Sequence, residues 1–219
     1  MLDKAYHQKP DEYFESVRKE MVGFLPSDAV RVLDVGCGAG LFGEYLIEKN
    51  PKLEIWGVEF DKDAAAIADK KLEKCFPGGI EENLKNIPDN YFDCIFFNDV
   101  LEHLLDPYTV LKEIQPKLAK NGVVISSIPN IRYFRNFNEL VMKKNWDYTD
   151  SGVMDRTHFR FFTYKSIRKM FEEQGYEIIL HKGLNRTKSI RPFILNFFFL
   201  GFFWDILYLQ FATVAKVKR

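Results

Sequence analysis

The chain has little cysteine, no net charge and no apolar run that reads as a plain membrane span. Its three cysteines, Cys37, Cys75 and Cys94, form no C-x-x-C pair. That excludes a disulfide framework or a thiolate metal site and fits a reduced, cytoplasmic chain. Lys plus Arg and Asp plus Glu each number 31, so no bulk charge recruits a nucleic-acid partner, and none is expected. The longest aromatic run without charge, Phe193 to Trp204, has 12 residues, and a bilayer needs about twenty. Extending it to 215 puts Asp205 near the middle, at a cost of about 2.5–3.5 kcal/mol. The polar N-terminus has no signal-peptide pattern. The spacing G-x-G-x-x-G is also missing, because Gly36, Gly38 and Gly40 are followed by Leu41, which weakens a dinucleotide site.

What is present begins with a buried-strand pattern, Val30, Val32, Leu33 and Val35, that stops at those three glycines. An apolar and acidic helical pattern follows at 41–49. Strand, glycine turn and helix open a doubly wound α/β domain, and glycines let the backbone come close to a ligand. Asp34 lies inside the strand, where an unpaired carboxylate is costly. A second strand, 54–59, ends in Glu59, nineteen residues after Gly40. A carboxylate there can accept both hydroxyls of a ribose. Without the dinucleotide spacing, another adenosine-containing ligand is the better fit.

At 219 residues and 47% hydrophobic, one domain is expected. Residues 1–29 read as a helical lid, with a helix from Pro10-Asp11. Its Arg18 is expected to be solvated, the rival being contact with a ligand carboxylate. Helices are expected at 61–73, from Asp106-Pro107, and at 163–174, where Thr163 caps and Gly175 stops the chain. Further strands are placed at 74–76, 92–97, 123–128, 176–181 and 208–217. Residues 131–162 are aromatic and basic and read as an insertion after the fifth strand that caps the site. Residues 193–207 read as a buried or interfacial helix before the last strand. For its segment Phe193–Trp204, core or dimer contact is expected ahead of contact with the inner face of a membrane.

The stretch Val32–Gly40 resembles the first motif of class I S-adenosylmethionine-dependent methyltransferases, and Glu59-Phe60-Asp61 resembles their acidic second motif. Phe92–Leu104 and Asp155–Thr163 resemble a bacterial branch found with surface-polysaccharide genes and likened to ubiquinone-biosynthesis methyltransferases. The resemblance covers nearly the whole chain. It implies a Rossmann-like sheet of seven strands in the order 3-2-1-4-5-7-6, the last antiparallel, with helices on both faces. It also implies S-adenosylmethionine as methyl donor, S-adenosylhomocysteine as product, and no metal. Asp34, Gly36, Cys37, Gly38 and Gly40 would then meet the donor, Glu59 its ribose, and Phe60, with Asp61 beside it, its adenine. Asn98, Asp99 and Val100 would line the methionine side. The family often has an acid in the next loop for the adenine amino group; here that position is Gly79, which leaves Ile80 packing and Glu81 nearby.

His103 is the candidate base for an acceptor hydroxyl, because imidazole titrates near neutrality. Its competing role is structural, paired with Glu102 or Asp106. His158 with Asp155 is the rival base. Asn130 and Tyr133 follow the fifth strand and are candidate acceptor contacts. Arg156 and Arg160 could hold a phosphate or carboxylate on the acceptor. The expected reaction is O-methylation of a small molecule, a sugar or a lipid-linked or quinone-like intermediate. The alternatives are a non-enzymatic scaffold docking through the aromatic segment and, more weakly, an NAD-dependent oxidoreductase.

Overall fold

The structure, a computed structural model, describes residues 17–218. The helix expected from Pro10 starts outside them. Within them, the lead-in to the sheet holds a short 3-10 turn, Lys19–Phe24. The sheet has seven strands: β1 (Arg31–Val35), β2 (Glu54–Glu59), β3 (Lys74–Pro77), β4 (Phe92–Asn98), β5 (Leu118–Pro129), β6 (Tyr176–Arg186) and β7 (Tyr208–Val217). Their order is β3-β2-β1-β4-β5-β7-β6. The first five pair in parallel, and β7 runs antiparallel between β5 and β6.

Successive side chains of a strand point to opposite faces, and here both faces are covered. Leu33, Ile95 and Phe97 feed one core cluster, while Val32, Cys94 and Phe96 feed the other. That is why these strands read as continuous apolar runs. The covering helices include α1 (Leu41–Lys49), α2 (Lys62–Ala68), α3 (Pro107–Glu113) and α4 (Tyr164–Glu173). Asp106 caps α3 through the amide of Thr109, and Thr163 and Ser166 form a capping box on α4.

Helix α2 is shorter than the alanine-rich pattern suggests. Beyond it, the carboxylate of Asp69 takes the amide of Cys75 at 2.8 Å, turning the chain directly into β3. Strand β6 runs longer than expected because its antiparallel ladder with β7 continues to Arg186, and β5 starts early at Leu118, which pairs with Phe92 of β4. The insertion holds two short helical stretches, Phe134–Phe137 and Asn138–Met142. It is fastened by main-chain bonds, Ile131 N–H to the Phe162 carbonyl and Phe159 N–H to the Glu102 carbonyl.

Of the buried or interfacial helix expected here, the buried alternative is not what the structure has. After α5 (Arg191–Phe198) the chain turns through exposed residues, and Phe197, Phe198, Phe199, Leu200 and Phe202 face solvent, Leu200 at 96%. Only the 3-10 turn Trp204–Leu207 returns to the core, through Asp205, Ile206 and Leu207. Among the described residues no helix is long and apolar enough to cross a membrane.

Asn130 ties this return to the sheet. It is fully buried, donates to the carbonyls of Asp205 (2.8 Å) and Tyr208 (3.0 Å), and accepts from the amide of Arg132 (3.0 Å). Asn130→Ala should cost about 2–3 kcal/mol, since buried main-chain groups lose their partners. Urea unfolding measures this, and a change under about 0.5 kcal/mol would contradict the account.

Candidate functional site

The carboxyl ends of β1, β2 and β4 meet at one edge of the sheet, where open α/β sheets take ligands. A cavity of about 670 Å³ lies there. The sequence builds its first wall with the β1–α1 turn. Gly36 has φ +73°, and a Cβ on it would collide with Val100 Cγ2. Gly40 has φ +77°, and a Cβ there would meet the backbone of Ala68 at 3.0 Å. Gly36, Cys37 and Gly38 line the cavity, whereas Gly40 supports the turn from behind.

Glu59 forms the second wall. Its carboxylate accepts the amides of Gly38 at 2.8 Å and Asp61 at 2.9 Å. This pins β2 to the glycine turn and points a buried acid into the cavity. Burial pushes its pKa up, partly offset by those amides. Asp34 is also buried, and its Oδ1 has no hydrogen-bond partner. Burial first, and then the charge of Glu59, push its pKa up to about 8. Phe60, Ile80 and Glu81 line the side nearest β2 and β3. Asp61 turns its carboxylate to the start of α2, capping Asp63 and Ala64.

Asn98, Asp99 and Val100 line the β4 side. Asn98 buries both side-chain polar atoms without a protein partner. Asp99, at φ +55°, is paired with Arg18 and accepts from Gln210 Nε2 at 2.9 Å and Ser127 Oγ at 3.3 Å. Arg18 also reaches Gln210 Oε1 (2.8 Å) and Ser127 Oγ (3.2 Å). The expectation of a solvated Arg18 is therefore corrected: it sits at the rim of the cavity, tied to the ends of β4, β5 and β7. Nothing in the local pattern of residues 10–24 signals Gln210 or Ser127, which lie far away in sequence.

The opposite end of the cavity is made by His103, Leu104, Leu105, Ser151, Gly152 and Phe159. His103 Nδ1 is 3.2 Å from both the carbonyl and the hydroxyl of Thr157. Its ring meets His158 edge-on, with centroids 4.6 Å apart. His158 Nδ1 is 3.0 Å from the Val153 carbonyl. Asp155 is buried behind them and accepts from Thr157 N–H and Oγ1. Glu102 is 1% exposed, and neither carboxylate oxygen has a hydrogen-bond partner. Burial raises its pKa to about 8.

The remaining acceptor candidates stand away from this cavity. Tyr133 lines a second, smaller one beside Trp146 and Met154. Arg156 is exposed and pairs with Asp150. Arg160 donates to the Leu105 carbonyl at 2.7 Å, so it braces the rim from outside. Asn130 belongs to the core, as described above.

Such a cavity fits a donor with an adenosine and a positively charged methionine end. Glu59 can take ribose hydroxyls, the absent Cβ of Gly36 and the orphaned polar atoms of Asn98 and Asp34 accept close polar contact, and the walls are acidic.

Comparison with known proteins agrees. A family model described as a methyltransferase domain matches residues 6–181. An uncharacterised protein of Methanocaldococcus jannaschii is 25% identical over 91% of this chain and 82% of its own length. A ubiquinone biosynthesis O-methyltransferase of Maricaulis maris is 28% identical over 80% of this chain and 69% of its own. A malonyl-[acyl-carrier protein] O-methyltransferase of Bacillus cytotoxicus is 26% identical, but the match spans only 53% of that protein. A crystal structure of a SAM-dependent methyltransferase from Archaeoglobus fulgidus superposes with TM-score 0.66 over 94% of this chain and 97% of that one, at 22% identity.

Folded Asp34 keeps its proton to about pH 8, whereas the unfolded chain loses it near 3.8. Its contribution to stability is thus full below the lower value and is lost as pH rises through the upper one. Asp34→Asn should flatten the fall in stability of the ligand-free protein between about pH 5 and pH 8. Urea unfolding across that range reads it, and an unchanged slope would refute it.

With the site's geometry and the family match in agreement, the chain belongs to the class I S-adenosylmethionine-dependent methyltransferases.

Proposed function

We propose that this methyltransferase moves a methyl group to a hydroxyl of a small acceptor seated between His103 and Phe159. The observation that carries the reading is that one cavity runs from the Gly36–Glu59 wall to His103. S-adenosylmethionine, when bound, supplies a methyl already activated on a sulfonium. The chain must then hold the acceptor in line, exclude water and take up its proton. Asp34, Gly36, Gly38 and Glu59 are assigned to the donor, with Phe60, Ile80 and Glu81 around the adenine end. Leu104, Leu105 and Phe159 supply an apolar floor for the acceptor. Proton removal is assigned to the corner of Glu102, His103 and His158, of which His103 faces the cavity. Arg160 positions the Leu105 loop rather than touching the acceptor.

His103→Asn should lower the transfer of labelled methyl from S-adenosylmethionine to a small-molecule extract by about 10²–10³-fold. S-adenosylhomocysteine affinity should change less than about threefold. Label transfer at the wild-type rate would remove His103 from the chemistry.

The acceptor class we infer from the surface is lipid-linked or quinone-like, met at an anionic membrane. Between Glu177 and Asp205 there is no acidic residue, whereas Lys182, Arg186, Lys188 and Arg191 are all exposed. They accompany the solvent-facing Phe197–Phe202 tip, and Arg186 stacks on Phe193 at 4.5 Å. Apolar side chains beside cations fit an anionic lipid surface, each cation adding about 1 kcal/mol. The protein should co-sediment with phosphatidylglycerol vesicles and less with phosphatidylcholine. Phe197→Ser with Leu200→Ser should weaken this at least about tenfold. No vesicle binding, or self-association through the same residues in sedimentation velocity, would overturn it.

A further inference from the structure

The corner behind the acceptor end holds a group of side chains that proton transfer alone does not explain. Glu102, His103 and His158 each offer a donor atom within 4.8 Å of the other two. Two separate features single this group out from an ordinary polar cluster.

The first is Glu102. Its carboxylate is 1% exposed, and both oxygens lack a hydrogen-bond partner. A buried polar group without a partner is costly, and native proteins satisfy nearly all of them. The second is the setting of the two imidazoles. His158 Nδ1 faces the Val153 carbonyl at 3.0 Å, and His103 Nδ1 faces the Thr157 carbonyl at 3.2 Å. A carbonyl only accepts, so each Nδ1 carries a proton, and in the neutral ring it is Nε2 that offers a lone pair. This is the tautomer that metal-binding histidines take, held by a main-chain carbonyl on the far side of the ring. A further brace stands behind His103: Asp155 accepts from Thr157 Oγ1 at 2.7 Å, and that hydroxyl lies 3.2 Å from His103 Nδ1.

From this geometry we infer that Glu102, His103 and His158 bind a divalent first-row transition cation at the acceptor end of the cavity. The inference deepens the proposed function and rests on it for the cation's role. Two imidazoles and a carboxylate are a donor set for zinc, iron(II), manganese or cobalt. Bonds of about 2.1 Å place such donors about 3–4 Å apart, so small side-chain shifts close the site. Three protein ligands leave coordination positions open, and His103 borders the cavity. An acceptor hydroxyl set there loses its proton to water more readily, because the cation stabilises the oxyanion. Its oxygen then takes the methyl carbon as the carbon–sulfur bond breaks, and the sulfur keeps the electron pair. With the cation bound, His103 serves as a ligand, and the proton uptake assigned above to this corner passes to a solvent water.

The test is Co²⁺ titration of chelator-dialysed protein, followed by visible d–d absorption, with S-adenosylhomocysteine titrated in parallel. We expect saturation at one Co²⁺ per chain. Glu102→Gln and His158→Gln should each weaken Co²⁺ binding at least about tenfold, with S-adenosylhomocysteine affinity retained as the sign of a folded site. Absence of saturable absorption in wild-type protein that binds S-adenosylhomocysteine would overturn the proposal. So would variants that fold and bind Co²⁺ as tightly as wild type. Saturable, variant-sensitive Co²⁺ binding without S-adenosylhomocysteine binding would support the cation site and sink the proposed reaction instead.

Discussion

The crowding of acids at the carboxyl edge of the sheet is the constraint on which the site depends. Asp34, Glu59 and Asp99 border one cavity, and Glu102 lies just behind it. Among the described lining residues Arg18 is the only guanidinium or ammonium group, and it is committed to Asp99. Acids buried this way raise their pKa values and hold protons that a cation could replace. The ligand-free fold therefore carries a desolvation cost at these acids, which a positively charged donor would offset. Main-chain amides cover only part of it, at Glu59, through Gly38 and Asp61.

The geometry that confines these acids is set by close backbone approach. Gly36 lets β1 end against Val100, and Gly40 lets α1 start against Ala68. Any side chain at either glycine would push the turn away from β4 or α2. The two walls of the cavity are thus coupled, because Glu59 ends β2 and also holds the turn that ends β1. At the far end the insertion is fastened to the same frame by Phe159 and Arg160, whose amides share the Glu102 carbonyl. The residue with the orphaned carboxylate is also the one that docks the cap.

The donor half could be read in the sequence because its parts are local. Strand, glycine turn and helix lie within residues 31–49, and the acid at position 59 ends the next strand. Strand order came through the family resemblance, and the structure has it. The acceptor half was less legible because long-range contacts place it. Arg18 looks solvated within its own segment but meets Asp99, Ser127 and Gln210. Tyr133 and Arg156 read as acceptor contacts, yet the path of the insertion turns them elsewhere. The aromatic run at 193–204 read as a buried or interfacial helix, and composition alone could not choose between the two. In the structure its tip, Phe197–Phe202, faces solvent. Glu102 was passed over as a neighbour of His103, since isolation from partners is invisible before burial is known.

The central claim is that the cavity between Gly36 and Glu59 holds the methyl donor. Calorimetric titration of S-adenosylmethionine and S-adenosylhomocysteine into wild type and Glu59→Ala tests it most directly. The account predicts one site per chain that binds both ligands in the wild type and weakens at least about a hundredfold in the variant, which loses charge-assisted hydrogen bonds to ribose. Folded wild-type protein that binds neither ligand, or a Glu59→Ala variant that binds as tightly, would contradict it.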